Sequence, residues 1–539
     1  MLKKILFFLL TVSSFNCIFS QQQMVYNPAI DVQHYDFNLN INDSDNNLAA
    51  HVFITVKFLQ KTNEFSLDLI NKNEEGKGMT VTDVKENNQF IVFKHEHNKI
   101  NIQLKNIAAA GTIKTVEIFY NGIPADGLIF SKNKFNHRTI FADNWPNRAR
   151  NWLACVDHLS DKASVDFIVT APEHYQVISN GVKVEETNIS KHFRLTHWKE
   201  EVPLPTKIMT IGLADFAVNY VGDVNGIPLS SWVFPEEKEN GFYDYAQAAE
   251  ILPFYIKNVG PFAYKKLANI QSKTIFGGME NASAIFYSER SINGKRSSTE
   301  ELMAHEIAHQ WFGDAATETD WQHLWLSEGF ATEMTNLYLE NKYGRDTLIA
   351  RLKKDRENII AFSKVRKTPV VDTSAKADLM QLLNRNSYEK GGWILHMLRS
   401  NLGNAVFWKS IQKYYATYRG KNAATTDLQH VFESASGKNL QQFFTQWLYT
   451  AANPNLTINW RYNEKNKTIS FTITQETEHV FALPLDLGIA TKESTLVKKI
   501  NLTKKVTTIS FPVKNKPLKI VVDPNCNLLF EAIVIETAE

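Results

Sequence analysis

The chain has 539 residues, enough for about two to four domains, and its 44% hydrophobic residues suffice for large buried cores. The net charge is only +2, and the sequence has no long run of like-charged residues. The chain therefore lacks the strongly charged surface with which many proteins bind nucleic acids or anionic membranes. We therefore expect no nucleic-acid partner.

Residues 1–20 have the pattern of a secretory signal peptide. Two lysines precede an apolar run at residues 5–12, and Ser20 followed by Gln21 is a usable cleavage point. The apolar run is too short for a confident membrane span. We therefore expect export to the periplasm or the exterior with no stable membrane span, and the alternatives are a retained N-terminal anchor or lipidation at Cys17.

Alternating apolar and polar residues predict an N-terminal antiparallel β domain at residues 21–235. Turn signals such as Asn121-Gly122 and Asn180-Gly181 separate its strands. The clearest alternation is at Tyr35, Phe37, Leu39 and Ile41, and at Val52, Ile54, Val56 and Phe58. An unusual aromatic-rich segment at residues 141–157 is, on pattern alone, more typical of core than of a site.

The spacing of hydrophobic residues along the sequence changes near Pro235 and again at Pro454. The first change predicts a mostly helical domain at residues 236–452, and the second predicts a small β-sandwich at residues 453–539. The predicted fold class is therefore multidomain α+β, with the helical domain in the middle.

The middle domain contains H-E-x-x-H at His305, Glu306 and His309. On a helix, residues four apart share a face, so the two imidazoles can bind one metal ion, and zinc is the first choice for this motif. Eighteen residues separate His309 from Glu328, which lies in a second helical pattern. Glu328 would complete a His, His, Glu ligand set and leave the fourth position of a tetrahedral zinc ion open.

The helix that carries the motif is predicted to begin at a capping box formed by Ser298 and Glu301 and to end near Gly313. Apolar residues on nearly all its faces predict that it is buried, namely Ala304, Ile307, Ala308, Trp311 and Phe312. Buried imidazoles and carboxylates need a partner, which a cation supplies. The alternative, that both histidines are polar positions of a solvated helix, is disfavoured by these neighbours.

These residues are suited to hydrolysis. A zinc ion with one open position lowers the pKa of its bound water to about 7 and polarises a carbonyl oxygen. Glu306, next to a ligand on the same helix, is placed to take a proton from the attacking water and to pass it to the leaving amine. Peptide hydrolysis is the reaction that this set serves best, and a hydrogen-bond donor for the oxyanion would assist it.

Four motifs, in order, resemble those of zinc aminopeptidases of the aminopeptidase N family. They are GGMEN at residues 277–281, HEIAHQWFG at 305–313, WLSEGFA at 325–331 and SYEKGG at 387–392. The resemblance implies a thermolysin-like catalytic domain with one zinc ion per chain and peptide substrates with a free N terminus. Most relatives continue into a large helical domain, which we expect to be absent here, leaving a more open cleft.

The resemblance also implies roles for single residues. Glu280 would bind the α-amino group of the substrate, and Tyr388 would donate its phenolic hydrogen to the oxyanion. The predicted substrate-binding set is Gly277, Gly278, Met279, Glu280 and Asn281, of which the first three would lie along the substrate as an edge strand. Without the resemblance, Tyr388 is more typical of core and Glu280 of an exposed loop.

The first domain departs from the family pattern. The family has a Gln or Glu shortly before the segment matched by Ala149-Arg150, and that residue joins Glu280 in binding the amine. This chain has Asp143, Asn144 and Trp145 there, so Asp143 and Asn144 are the candidates for the second amine-binding residue.

Candidate partners for the second nitrogen of the zinc-binding histidines are Asp314 and Thr332, although each is more typical of a structural residue.

We therefore predict a zinc-dependent aminopeptidase with His305, His309 and Glu328 as ligands, Glu306 as general base and Tyr388 as oxyanion donor. A zinc endopeptidase is the first alternative, and it would be favoured if Glu280 faced away from the metal. A non-catalytic peptide-binding protein is the second, and such a protein is expected to lack one of these residues, all of which are present.

Overall fold

The computed structural model describes residues 27–375 and 378–537. The predicted signal peptide at residues 1–20, including Cys17, lies outside the described residues. None of the helices that the structure describes combines the length and the hydropathy needed to cross a lipid bilayer.

The N-terminal part is rich in strands, and the alternation that predicts them puts the apolar residues on the buried faces. Tyr35, Phe37 and Leu39 are all at most 1% exposed. In chain order the strands are β1 (Ile30–Ile41), β2 (Leu48–Phe58), β3 (Thr62–Asp68), β4 (Gly78–Glu86), β5 (Gln89–Phe90), β6 (Val92–Glu96), β7 (Lys99–Ala108), β8 (Ile113–Ile123), β9 (Leu128–Lys132), β10 (Arg138–Ala142), β11 (Ala163–Pro172), β12 (Gln176–Ser179), β13 (Val182–Asn188), β14 (Phe193–Leu204), β15 (Ile211–Ala214), β16 (Ala217–Val224) and β17 (Ile227–Val233).

The largest sheet in this part is mixed. Its strand order is β13-β14-β11-β1-β2-β8-β4-β5, and β1 pairs antiparallel with β2 but parallel with β11, with Phe37 opposite Phe167. The prediction of an antiparallel domain is therefore wrong for this pair. Alternation specifies which face of a strand is buried, but it does not specify the direction of the neighbouring strand. Two smaller sheets have the orders β12-β15-β10-β9 and β3-β7-β6.

The middle part is mostly helical, as the change of period near Pro235 predicts. Its helices are α1 (Lys238–Tyr245), α2 (Ala248–Asn258), α3 (Arg296–His309), α4 (Trp325–Tyr343), α5 (Arg345–Val365), α6 (Gly391–Leu402), α7 (Asn404–Tyr418), α8 (Thr425–Ser436) and α9 (Gln441–Leu448), and its strands are β18 (Leu267–Ser272), β19 (Gly278–Met279), β20 (Ala284–Ser288), β21 (Ala316–Glu318) and β22 (Lys421–Ala423). A five-stranded sheet of order β16-β17-β18-β20-β19 joins the first part to this one, because β17 pairs with β18.

The start of α3 differs from the prediction. The helix begins at Arg296, and its N-cap residue, Lys295, makes no side-chain capping bond. Ser298 lies within the first turn and donates its hydroxyl to the carbonyl of Lys295 at 2.8 Å, while Glu301 pairs with Arg351 at 2.7 Å. The predicted capping box is therefore wrong, since the helix begins three residues earlier than a Ser298 N-cap requires and Glu301 has a tertiary partner.

Helices α4 and α6 cross at two glycines. A Cβ added at Gly329 would lie 2.8 Å from the backbone of Gly391, so any side chain at this position would push the helices apart. A π-helical turn, Asn386–Lys390, leads directly into α6. The close crossing therefore brings this turn against the start of α4.

The C-terminal part returns to strands after Pro454. One sheet has the order β27-β24-β23-β29 and the other β26-β25-β28. The strands are β23 (Asn455–Asn463), β24 (Thr468–Gln475), β25 (Leu483–Ala490), β26 (Thr495–Leu502), β27 (Val506–Pro512), β28 (Lys519–Val522) and β29 (Glu531–Glu536).

Candidate active site

Helices α3 and α4 bring together the three predicted metal ligands. His305 Nε2 lies 3.1 Å from His309 Nε2, and Glu328 Oε2 lies 3.3 Å from the first nitrogen and 3.2 Å from the second. Ligand atoms at about 2.0–2.1 Å from a tetrahedral zinc ion are about 3.3–3.4 Å apart. The triangle of ligand atoms therefore has nearly the size of one face of a zinc coordination tetrahedron, and the donor set fits zinc.

The electrostatics of the triad also fit a cation. Burial alone would raise the pKa of Glu328, but His309 and His305 hold it well below its usual value, so the carboxyl group is anionic. Burial lowers the pKa of His305, which favours a neutral ring with a free lone pair. Burial opposes protonation of His309, but the carboxylates of Glu328, Glu280 and Glu306 raise its pKa to about 10, so a metal ion would displace a proton from this ring on binding.

The ring of His309 is held from its far side. Its Nδ1 lies 3.1 Å from the carbonyl oxygen of Phe312 and 3.1 Å from Ser327 Oγ. Because a carbonyl oxygen can only accept a hydrogen bond, Nδ1 carries the hydrogen, and Nε2 is left to bind a metal. Ser327 precedes Glu328 in sequence, but no local pattern marks its contact with a ring on another helix.

The two predicted partners of the histidines have other contacts. Thr332 Oγ1 donates to the carbonyl of Glu328 at 2.8 Å, which is an ordinary bond within α4. Asp314 Oδ2 accepts from Gln310 Nε2 at 2.8 Å. Asp314 and Thr332 therefore have the structural roles that their sequence patterns favour.

Glu306 lies on the side of α3 that faces the loop at residues 277–281. A Cβ added at Gly278 would overlap its carboxyl group, so this glycine is needed for the close approach of the two segments. Burial raises the pKa of Glu306 well above its ordinary value, and the nearby carboxylates of Glu280 and Glu328 raise it further, although His309 opposes them. A raised pKa suits a group that must accept and then release a proton near neutral pH.

A cavity of about 250 Å³ lies over the triad. Its walls combine the three ligands and Glu306 with the loop before α3 and with apolar side chains from several elements. The lining residues are Trp145, Phe276, Gly277, Gly278, Met279, Glu280, Leu302, His305, Glu306, His309, Glu328, Leu383 and Tyr388. Of the predicted substrate-binding set, only Asn281, which is 1% exposed, is not among the described residues that line this cavity.

Strand β19 is at the edge of the five-stranded sheet, which leaves its outer side available to an extended peptide. The carboxylate that follows it, Glu280, is 6% exposed, and its Oε1 has no hydrogen-bond partner among the described residues. Leaving a buried carboxylate oxygen without a partner is costly. A positively charged ligand group at this position would remove that cost.

Gln310 connects the loop to the metal-bearing helix. It follows His309 directly, and its Nε2 donates to the carbonyl of Glu280 at 2.9 Å. Its Oε1 accepts from the backbone N–H of Ser283 at 2.8 Å. The side chain therefore holds the chain at residues 280–283, a role that the motif did not reveal because both partners are distant in sequence.

Tyr388 lies in the π-helical turn and stacks on His305, one of the predicted metal ligands. Its ring is 5.9 Å from the ring of His305, centroid to centroid, with an angle of 14° between the planes. Burial raises the pKa of Tyr388, and the carboxylates of Glu328, Glu280 and Glu306 add to the effect. The hydroxyl therefore stays protonated and can donate a hydrogen bond at neutral pH.

Comparison with protein families gives matches to two parts of one family. The peptidase family M1 domain matches residues 243–447, and the peptidase M1 N-terminal domain matches residues 31–208. Together they cover more than half of the chain. The chain belongs to peptidase family M1. This confirms the predicted membership of the aminopeptidase N family of zinc peptidases.

Individual relatives of this M1 peptidase are distant. It is 26% identical to a probable aminopeptidase 2 of Sulfurisphaera tokodaii over 409 residues, which are 72% of this chain and 50% of that protein. It is 26% identical to the glutamyl aminopeptidase of Homo sapiens over 367 residues, 65% of this chain and 38% of that protein. The chain thus spans about half, or less, of the length of these relatives.

One solved structure supports the fold. It is that of a mutant M1 zinc metallopeptidase from Deinococcus radiodurans, with a TM-score of 0.67 and 22% sequence identity. The match covers 79% of this chain and 96% of that chain. The β-rich N-terminal part and the helical middle part are therefore those of the M1 fold, and family M1 implies zinc at the His, His, Glu site.

In this M1 peptidase, the two candidates for a second amine-binding residue are held by other contacts. Asp143 Oδ1 pairs with Arg148 at 2.6 Å, and its Oδ2 accepts from Thr274 Oγ1 at 3.3 Å. Burial raises the pKa of Asp143 to about 6, although Arg148 opposes it. The side chain of Asp143 therefore joins the N-terminal part to the loop before Phe276.

The side chain of Asn144 is also held by hydrogen bonds inside the fold. Its Nδ2 donates to the carbonyls of Met209 at 2.7 Å and Thr206 at 3.2 Å, and its Oδ1 accepts from Trp152 Nε1 at 2.8 Å. The amide is thereby satisfied inside the fold. In this segment it is Trp145 that lines the cavity of the M1 peptidase, at a position where sequence alone suggested core.

Proposed function

We propose that this M1 peptidase is a zinc-dependent aminopeptidase that hydrolyses the first peptide bond of peptides with a free N terminus. The observation that carries the proposal is the position of Glu280, a buried carboxylate with an unpartnered oxygen, in the same cavity as the His, His, Glu triad. The ammonium group of a peptide N terminus would pair with it, and a charged hydrogen bond of this kind contributes about 1.5–3 kcal/mol.

The pairing selects the bond to be cut. With the ammonium at Glu280, the carbonyl of the same first residue would face His305, His309 and Glu328, which line the same cavity. These residues would hold one zinc ion, which polarises that carbonyl and lowers the pKa of a bound water to about 7. An internal peptide segment offers no ammonium group, so an endopeptidase would make no use of Glu280.

Glu306 would serve as the general base. Its carboxylate accepts a proton from the attacking water and then donates it to the leaving amine, and its raised pKa favours both transfers. The absence of a side chain at Gly278 leaves room for this carboxylate. General acid–base catalysis of this kind contributes about 10²–10⁴ in rate.

Tyr388 would stabilise the oxyanion that forms when water attacks the carbonyl. Its hydroxyl is protonated, and the stacking of its ring on His305 keeps it beside the triad. A single donor of this type contributes about 10²–10³ in rate. The presence of both Glu306 and Tyr388 favours an enzyme over a peptide-binding protein without turnover.

A panel of aminoacyl chromogenic amides and matched N-acetylated peptides tests the function. We expect cleavage of the free-amine substrates, loss of activity with a chelator and recovery with zinc. Cleavage of acetylated and free peptides at equal rates would indicate an endopeptidase. Peptide binding without any cleavage would indicate a binding protein.

We also propose that the protein is exported, supported by the sequence pattern of residues 1–20 alone. N-terminal sequencing of the mature protein should begin at Gln21, and an intact Met1 in the exported protein would contradict this. For the C-terminal part we propose a small β-sandwich, supported by its two sheets and by the alternating burial along β24.

A further inference from the structure

We propose that Trp145, Phe276 and Met279 form the pocket for the first side chain of the substrate, and that this pocket selects large, uncharged, apolar residues. The proposal rests on the aminopeptidase function proposed above and names the substrate class of that site. Trp145 would be a specificity-determining residue.

The position of the pocket follows from two neighbouring cavities. A second cavity, of about 390 Å³, shares Leu302, His305 and Tyr388 with the first and extends from them toward Arg351 and Glu389. This second cavity can hold the part of the peptide that follows the cleaved bond.

The opposite side of the first cavity remains for the first residue. The side chain of this residue shares its Cα with the amine that pairs with Glu280. Met279 precedes Glu280 directly, and Phe276 and Trp145 line the same cavity. Together with Leu383, these three side chains are the apolar lining of the first cavity that the second cavity does not share.

The charges of the cavity favour an uncharged side chain. Three carboxylates line it, those of Glu280, Glu306 and Glu328, and a zinc ion together with the substrate ammonium balances them. Among the described residues that line the cavity there is no lysine or arginine. An acidic or a basic first side chain would therefore bring a charge without a partner into a buried site, which is unfavourable.

The relatives named glutamyl aminopeptidases are 25–27% identical to this chain over about a third of their own length. A pocket lined by Trp145, Phe276 and Met279 does not suit the acidic side chain that the names of these relatives indicate. We expect glutamyl substrates to be poor here.

The pocket is built from fixed aromatic rings. The ring of Trp145 meets that of Phe276 edge to face at 5.9 Å and that of Trp321 at 5.5 Å, both at 83°. Edge-to-face pairs at these distances are favourable, and a substrate ring or branched side chain adds to the same cluster.

The backbone on both sides of the pocket is also held in place. Arg148 Nε donates to the carbonyl of Trp145 at 2.8 Å, and the same guanidinium pairs with Asp143. Asp143 accepts in turn from Thr274, two residues before Phe276. Because these contacts order the walls before substrate arrives, less free energy is lost on binding.

The test uses the zinc-loaded protein and 4-nitroanilides of Phe, Leu, Ala, Glu and Lys. We expect kcat/KM for Phe and Leu to exceed that for Glu and Lys at least about tenfold, since apolar pockets discriminate by about 10–200-fold. In Trp145→Ala, kcat/KM for Phe and Leu should fall at least about tenfold, while that for Ala changes less than about threefold. Trp145→Phe should be intermediate.

Trp460→Ala is the matched control, because it removes a tryptophan that is 5% exposed from the C-terminal sheet and should leave the substrate ratios unchanged. Calorimetric dissociation constants of free Phe, Leu, Glu and Lys for the native protein give a second measurement that needs no variant and no turnover. There too, Phe and Leu should bind at least about tenfold more tightly.

A preference for Glu or Lys, or equal losses for all substrates in folded Trp145→Ala, would overturn the pocket while leaving the aminopeptidase function intact. If no substrate is cleaved, the proposed function fails, and the amino-acid dissociation constants still decide whether the pocket selects apolar side chains.

Discussion

Gly278 lies so close to Glu306 that a Cβ at position 278 would overlap the Glu306 carboxyl group. Gly278→Ala should therefore displace Glu306, the proposed general base, while leaving the proposed metal ligands in place. We expect kcat to fall by about 10²–10⁴, the usual contribution of a general base, with zinc content unchanged. Steady-state kinetics and atomic absorption measure the two quantities.

Gly277→Ala is the matched control for this change. The nearest atom to a Cβ at Gly277 is Leu302 Cδ1 at 3.7 Å, an ordinary contact distance. This variant should keep kcat within about threefold of the native value and confine any loss to KM, because Gly277 lines the cavity but its added methyl group does not meet Glu306. Equal losses in the two variants would show that the loop as a whole is sensitive, and that the contact with Glu306 is not the cause.

Glu306→Ala should keep zinc and lose turnover, because Glu306 is not one of the three ligand residues. Zinc per chain, measured after dialysis, should stay at one, and kcat should fall by at least about 10². Normal activity in this variant would refute the assignment of the base. Loss of zinc would instead indicate that Glu306 supports the metal site.

Glu280→Gln should act through the free amine of the substrate. The variant keeps the volume of the side chain but removes its charge, so the ammonium loses a charged partner and kcat/KM for free-amine substrates should fall by about 10–10². The informative quantity is the ratio of cleavage of a free peptide to that of its N-acetylated form. An unchanged ratio would count against the proposed role.

Tyr388→Phe removes the proposed oxyanion donor and keeps the ring that stacks on His305. We expect kcat to fall by about 10²–10³ with little change in KM, because the hydrogen bond forms fully only in the transition state. Tyr462→Phe in the C-terminal part, which also removes a buried hydroxyl hydrogen bond, should leave kcat unchanged. A rise in KM alone would assign Tyr388 to substrate binding.

Gln310→Met should loosen the loop that carries Glu280, because the variant loses bonds to the carbonyl of Glu280 and to the N–H of Ser283. KM for free-amine substrates should rise more than kcat falls. Gln310 also donates to Asp314, so three buried hydrogen bonds are lost, and the free energy of unfolding should decrease by about 1.5–4.5 kcal/mol. Gln429→Met on α8 is the control, with a side chain bonded to Glu433 and Gln441. It should leave KM unchanged.

The convergence of His305, His309 and Glu328 could be predicted from the sequence because most of its geometry is local. His305 and His309 share a helical face by their spacing alone, and the buried surroundings of α3 follow from its apolar neighbours. The prediction of Glu328 as the third ligand needed one long-range assumption, that α4 packs against α3. The roles of Glu280 and Tyr388 came from the resemblance, because each depends on what lies opposite it.

The parts that sequence did not predict depend on contacts between distant segments. Asp143 has the carboxylate expected of an amine ligand, but it lies 2.6 Å from Arg148. Ser298 and Glu301 have the spacing of a capping box, but the helix begins earlier. The place of Trp145 in the cavity likewise depends on Phe276 and Trp321, which lie far along the chain.

The pairing of β17 with β18 carries the backbone of one sheet across the predicted boundary at residue 235. A truncation there would cut a hydrogen-bonded sheet and leave open strand edges on both fragments, which favours aggregation. It would also separate Trp145 from Phe276. Attempts to express residues 236–452 alone should therefore yield insoluble material, and a working enzyme requires that both halves be made as a single polypeptide.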